Sequence, residues 1–261
     1  MADQVKYTQK LKGDKVLIIG GSAGIGYGAA EAALENGCTV IISSSNPDRV
    51  NKAVSKLQHS YPSASSRITG HACNLGDEST LESNIAALFE AVGDGIDHII
   101  HTAGDSLAVK ALPEIDIDFI KKAGLVRFYA PLFIGKYAPP RMNPGPKSSI
   151  TLTTGGVAER PMPNWTVVNS YATGLQGMVR GLALDLKPIR VNLVCPGAVD
   201  TELWAGMSED RKAGFFKQIE EKLPTGKVGS IENLAETYLY LMKDRNTTGI
   251  QVQSTGGHLL V

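Results

Sequence analysis

Three stretches of this sequence hold residues whose types and spacing could do chemistry. In VLIIGGSAGIG (residues 16–26) an apolar run leads into Gly20, Gly24 and Gly26, with Ser22 and Ile25 between them. Glycines let the backbone come close to a pyrophosphate, and a helix starting there offers free amides and a partial positive charge. In TVIISSSNPDRV (residues 39–50) the next apolar run ends on Ser44, Ser45 and Asn46, with Arg49 just beyond. An acid at that point would grip ribose hydroxyls and repel an added phosphate. Neutral donors beside an arginine favour NADP(H) over NAD(H); the other reading is a serine-rich turn with Arg49 solvated. In VVNSYATGLQGM (residues 167–178) Tyr171 presents a phenol, but one helical turn later stands Leu175, not a lysine that would ease its ionisation. Tyr171 is either a proton-transfer group at a cleft or a packing tyrosine.

The elements that must position these residues alternate along the whole chain. Strand-length apolar runs fall near 15–20, 38–43, 67–72, 97–101, 148–154, 189–195 and 249–253. Helical patterns lie between them, as in 24–36, and in 77–92, which opens on Asp-Glu where a helix start favours negative charge. Alternating βα units imply a parallel sheet covered on both faces, because parallel strands need crossover connections. The expectation is an α/β fold, one doubly wound (Rossmann) domain over residues 1–261. Residues 137–149 read as a loop entering a central strand, and 196–228, less regular, as a lid over the substrate.

The chain of 261 residues balances 26 basic against 26 acidic side chains, so nothing in its charge recommends nucleic acid or an anionic membrane as partner. Its longest apolar runs fall short of a membrane span, and its first residues lack the apolar core of a signal peptide. Cys38, Cys73 and Cys195 lie in or beside strands without metal-ligand spacing, as reduced core thiols of a cytoplasmic protein would. No metal is expected.

GGSAGIG, HTAG at 101–104, VNLVCPGAVDT at 191–201 and MVRGLALDLKPIRVN at 178–192 together resemble the short-chain dehydrogenase/reductase family, across essentially the whole chain. The resemblance implies a seven-stranded parallel sheet with a nicotinamide dinucleotide at the carboxyl ends of its strands. Gly20, Ser22, Gly24, Ile25 and Gly26 would then hold the pyrophosphate, and Asn74 and Leu75 would flank the adenine. Ala103 and Gly104 would lie along the adenosine ribose. In Pro196, Gly197, Val199 and Thr201, the backbone of Val199 would meet the nicotinamide amide and Thr201 would bind nearby. Loop packing is the alternative for the small residues. NADP-using members often place a basic residue at the position of Ala23, which this chain does not. Members usually pair through two long central helices and the last strand, so a homodimer or homotetramer is implied.

Carbonyl-reducing members use a tyrosine, a lysine four residues later, a serine thirteen before the tyrosine, and an asparagine in the preceding long helix. Counting back from GMVRGLALDLKPIRVN and forward from SSITLTTGG places these positions, without a gap, on Val168, Ala172 and Gly155, with Arg127 at the asparagine. The usual proton relay is thus replaced at all four positions. Arg127 would face the place where substrate meets nicotinamide, or else pair with Asp105 or Glu159. Trp165 would border the substrate or pack under a loop. Thr153 and Thr154 retain hydroxyls near the serine position, and Thr154 could touch substrate or the nicotinamide ribose.

A subset of the family, including reductases of fungal alkaloid pathways, also lacks the tetrad. This implies an NADPH-dependent reductase of an activated small molecule, an imine or iminium, with Arg127 and Trp165 orienting it. Related members that also guide a cyclisation carry an acid in the loop before the tryptophan, where RPMPNW offers only Met162 and Asn164. A non-redox cofactor-binding protein or cyclase, and a carbonyl reductase with a relocated acid such as Tyr171, remain alternative readings.

Overall fold

The computed structural model describes residues 4–261. Seven strands run β1 (Lys15–Ile19), β2 (Thr39–Ser44), β3 (Ile68–Ala72), β4 (His98–His101), β5 (Ser149–Thr153), β6 (Arg190–Pro196) and β7 (Gln251–Ser254). Each lies within two residues of the apolar run that predicted it. All pairings are parallel, in the order β3-β2-β1-β4-β5-β6-β7. From β1 the chain builds outward first to β2 and β3, then returns to start β4 on the other side. The crossovers on the two sides diverge there, opening a crevice at the carboxyl ends of β1 and β4.

Both faces of the sheet are buried because successive side chains of a strand point to opposite sides. Leu17, Ile19, Ile99, Leu152 and Leu193 enter one core, and Val16, Ile18, Ile42, Ile100 and Val194 the other. The first core is covered by α3 (Leu81–Val92), α5 (Ala130–Tyr137) and α6 (Thr166–Asp185). The second is covered by α1 (Gly24–Glu35), α2 (Pro47–Ser60) and α8 (Ile231–Lys243). Helix α4 (Ile117–Gly124) continues into α5 through a five-residue π-helical segment, Leu125–Tyr129.

Two expectations need correction. The helix expected from residue 77 begins at Leu81, because the Asp77 carboxylate accepts from the Ser79 amide (3.0 Å) and hydroxyl (2.7 Å) and closes a turn first. The irregular stretch 196–228 holds a 12-residue helix, α7 (Glu209–Glu220), as well as a 3₁₀ turn at Glu202–Trp204. Among the described residues no helix is long and apolar enough to cross a membrane.

Candidate active site

The turn after β1 is built so that only glycine fits. Gly20 takes φ 97° and Gly24 φ 51°, backbone states that side chains rarely adopt. A Cβ on Gly20 would strike the backbone of Ala103, and one on Gly26 would strike the Gly20 carbonyl and the Thr102 hydroxyl. The Gly20 amide donates to Ser43 O (2.8 Å) and the Ala103 amide to Ile19 O (2.9 Å), tying the turn between β2 and β4. Helix α1 starts with no side-chain cap and no acid in its first turn. Its first amides are therefore not satisfied by a capping side chain, an arrangement that suits an anion. Thr201 and Glu202 are brought over this turn: Thr201 Cβ and a Glu202 carboxylate oxygen each lie 3.2 Å from where a Gly24 side chain would begin. Ser22 and Ile25 lie on the same turn, both half-buried.

At the end of β2, Ser44 is half-buried and Ser45, Asn46 and Arg49 are exposed. Arg49 Nη2 donates to Ser45 Oγ at 3.0 Å, so the guanidinium stands at the strand end. Asn46 Oδ1 caps α2 by accepting the Arg49 amide at 3.0 Å, which leaves its Nδ2 as the donor toward a ligand. Asn74 accepts the Gly76 amide (3.0 Å), and its carbonyl takes Asn84 Nδ2 (2.9 Å). Leu75 departs from expectation: its side chain is 3 % exposed and belongs to the core, leaving only its backbone for an adenine.

At the reaction end, Arg127 sits in the π-helical segment, a distortion that re-aims side chains and recurs at functional sites. Its Nε donates to Asp105 Oδ1 at 3.1 Å and its Nη2 to the Asp105 carbonyl. The guanidinium lies across Gly104, where a Cβ would sit 2.7 Å from Nη2. Of the two acids considered for Arg127, Asp105 is the partner. Glu159 instead accepts from Gln176 (2.6 Å) and Gln251 (3.1 Å). Beneath this pair, His101 is 2 % exposed and its Nε2 has no hydrogen-bond partner among the described residues. Burial and then the Arg127 charge push its pKa down to about 4. Sequence reasoning passed over His101, although HTAG places it one strand residue from the cleft.

Tyr171 is engaged by its neighbours. Its hydroxyl donates to Ile120 O (3.0 Å) and meets Tyr129 OH (3.0 Å), and its ring packs against Gly124 and Phe128. Burial first, then the bond to Tyr129, raises its pKa above the ordinary phenol value, the reverse of what an acid catalyst needs. The retained threonines are committed as well. Thr153 Oγ1 pairs with Tyr238 OH (2.7 Å), and Thr154 Oγ1 donates to Ala172 O (2.9 Å), leaving Thr154 only acceptor capacity toward a ligand. A Cβ on Gly155 would meet nothing within 4 Å.

Trp165 is half-buried at the start of α6, directly after Asn164, whose φ is 65°. The Asn164 carbonyl accepts the Lys110 amide (3.3 Å), so the Trp165 loop meets the loop that follows Asp105. Opposite, Pro196 is buried and Gly197 packs against Thr255. The Val199 carbonyl is already used: it accepts Trp204 Nε1 at 2.8 Å. Trp204 in turn packs on Phe215 and Phe216 of α7, with ring centroids 5.1 and 5.9 Å away. No sequence signal announced the Trp204 bond.

Residues 7–261 match the SDR-like Rossmann domain. The chain belongs to the short-chain dehydrogenase/reductase family. It is 44% identical to the short-chain dehydrogenase/reductase fsr5 of Gibberella fujikuroi, over the full length of both chains. It is 38% identical to the family member malC of Malbranchea aurantiaca, again over the full length of both. The solved structure of the MalC Reductase/Diels-Alderase from Malbranchea aurantiaca superimposes with a TM-score of 0.92, at 36% identity, covering 97% of this chain and 99% of that one.

Proposed function

We propose that the protein is an NADPH-dependent reductase of an activated C=N substrate, an imine or iminium, that dispenses with a tyrosine acid. What supports this reading is a tight phosphate turn together with a Tyr171 hydroxyl that is taken up by Ile120 O and Tyr129 OH. Gly20 and Gly26 leave no room for side chains, and the uncapped start of α1, with Thr201 beside it, would take a pyrophosphate once the Glu202 carboxylate next to Gly24 turns aside. Arg49, held against Ser45, supplies a cation where NADP carries its extra phosphate, with no acid at the end of β2 to oppose it. Ser44, Asn74, Ala103, Gly104, Pro196, Gly197 and Val199 would complete the cofactor site. When bound, the reduced nicotinamide supplies a hydride.

The chain's own residues then bind and orient. An iminium carbon is already electron-poor, so the protein need not protonate the substrate as hydride arrives. Arg127 offers its free N–H groups to an oxygen elsewhere on the substrate, and Trp165 offers a flat apolar wall. Residues 196–228, with the Trp204–Phe215–Phe216 cluster, act as the lid that excludes water. MalC, a reductase/Diels-Alderase of the same fold, supports a reductase activity here. The three unpaired, buried thiols suit the cytosol. Exposed Leu132 of α5 and Leu184 of α6 suit a homodimer or homotetramer formed through the long helices.

Stopped-flow loss of NADPH absorbance over a panel of cyclic imines, iminium salts and ketones tests the reading. Turnover of imines without ketones is expected. Turnover of ketones that Tyr171→Phe abolishes, or no oxidation of NADPH with any member, would sink it.

A further inference from the structure

The contacts around Arg127 set what the site can recognise. A guanidinium carries five N–H donors in a planar fork. Asp105 takes two of them, one at Nε through its carboxylate and one at Nη2 through its carbonyl. The other three have no partner among the described residues, and the two bonds to Asp105 hold the guanidinium flat across Gly104. The two side chains are 30% and 39% exposed, so the free edge opens outward and is not sealed in the core. With its carboxylate 3.1 Å from Nε, Asp105 largely cancels the arginine's charge as seen by a ligand at the free edge.

We propose that Asp105 is a positioning and specificity-determining residue. It converts Arg127 into a charge-balanced clamp that selects a neutral carbonyl or amide oxygen over a carboxylate and admits a cation beside it. The proposal deepens the reading of Arg127 as a substrate-facing group. An unpaired arginine would repel an iminium and attract carboxylates, because like charges a few ångströms apart disfavour one another. With Asp105 in place a carboxylate gains little attraction, still loses its hydration, and meets a second carboxylate nearby. A neutral oxygen keeps the directional N–H donors at a far smaller desolvation cost. Pairing also resolves a conflict within the site, since a cationic substrate and a cationic clamp would otherwise oppose each other.

The test is binding to the NADP⁺-loaded protein of two probes of nearly one shape, indole-3-carboxamide and indole-3-carboxylate, by calorimetry. Wild type should bind the amide about tenfold more tightly, and Asp105→Asn should reverse that order. Asp105→Glu should restore the wild-type order. Arg127→Met, which leaves the acid unpaired, should weaken both probes and the carboxylate most. Circular dichroism checks that each variant folds; should Asp105→Asn not fold, the Arg127→Met and Asp105→Glu arms still decide. A wild type that prefers the carboxylate or binds neither probe overturns the proposal, as does an Asp105→Asn variant that keeps the wild-type order. Probe binding needs no hydride transfer. Failure of imine reduction with the amide preference intact would therefore remove the reductase reading and leave the clamp standing.

Discussion

At the scale of single residues, similar sequence cues conceal different environments. Tyr171 and Arg127 both drew notice as chemistry-bearing side chains on long helices. The phenol turned inward, to the Ile120 carbonyl and Tyr129, while the guanidinium stayed partly open. Sequence could place both residues on their elements but could not say whose hydroxyl or carbonyl each would meet, because those partners come from 22 to 51 residues away. Tyr171→Phe should therefore leave turnover within about twofold and cost about 1 kcal/mol of stability for the lost buried hydrogen bonding. Steady-state kinetics and urea unfolding of the same variant check both halves. Arg49 was legible for the opposite reason, since a strand end and the first turn after it are fixed by local chain geometry. Arg49→Ala should weaken NADPH binding by about tenfold or more and leave NADH nearly unchanged. Fluorescence titration with both cofactors reads this, and equal losses for the two would remove Arg49 from the phosphate site.

At the scale of elements, the five inner strands were readable to within two residues because each is a mainly buried run bounded by glycines and polar turns, while β3 (ITGHA) and β7 (QVQS) carry the mixed, half-exposed pattern of sheet edges. Helix α7 was not. Its EDRKAGFFKQIE buries only Phe216, so its apolar signal is one short stripe in a polar segment. What holds it is tertiary: Trp204, anchored on the Val199 carbonyl, gives Phe215 and Phe216 a surface to pack on. The phosphate turn is the reverse case, a local motif whose reason is also non-local. Gly20 must be glycine because β4 delivers Ala103 against it. Gly20→Ala should separate β1 from the start of the β4 loop, lower stability by about 1–3 kcal/mol and abolish tight cofactor binding. Thermal unfolding with and without NADPH measures this. Wild-type melting that shifts upward with NADPH, beside a variant that does not shift, is the expected pair of results.

At the scale of the whole molecule, the sheet separates two polar regions. At the amino ends of the strands, Asp14 and Asp97 are buried and bridged by Lys147 Nζ at 2.6 and 3.1 Å, with His98 Nε2 3.2 Å from Asp14. Burial would raise the Asp14 pKa, but the bonds from His98 and Lys147 outweigh it and leave it lowered. At the carboxyl ends, His101 stands fully buried under Arg127 with its pKa pushed down to about 4 by burial and by that charge. The native state holds this imidazole neutral, whereas the unfolded chain protonates it near its ordinary value of 6.5. Below that value the unfolded state binds the extra proton, so stability is fully present above about pH 6.5 and is lost as pH falls toward 4. The His101 contribution to that loss is about 3 kcal/mol over the window. Urea unfolding at a series of pH values should show stability rising with pH across this range, and His101→Asn should flatten the rise. Arg127→Met should flatten it partly, since it removes the second cause of the depressed pKa but not the burial. A slope unchanged in His101→Asn would move the acid sensitivity to the opposite end of the sheet, where burial likewise lowers the pKa of His98 beside Asp14.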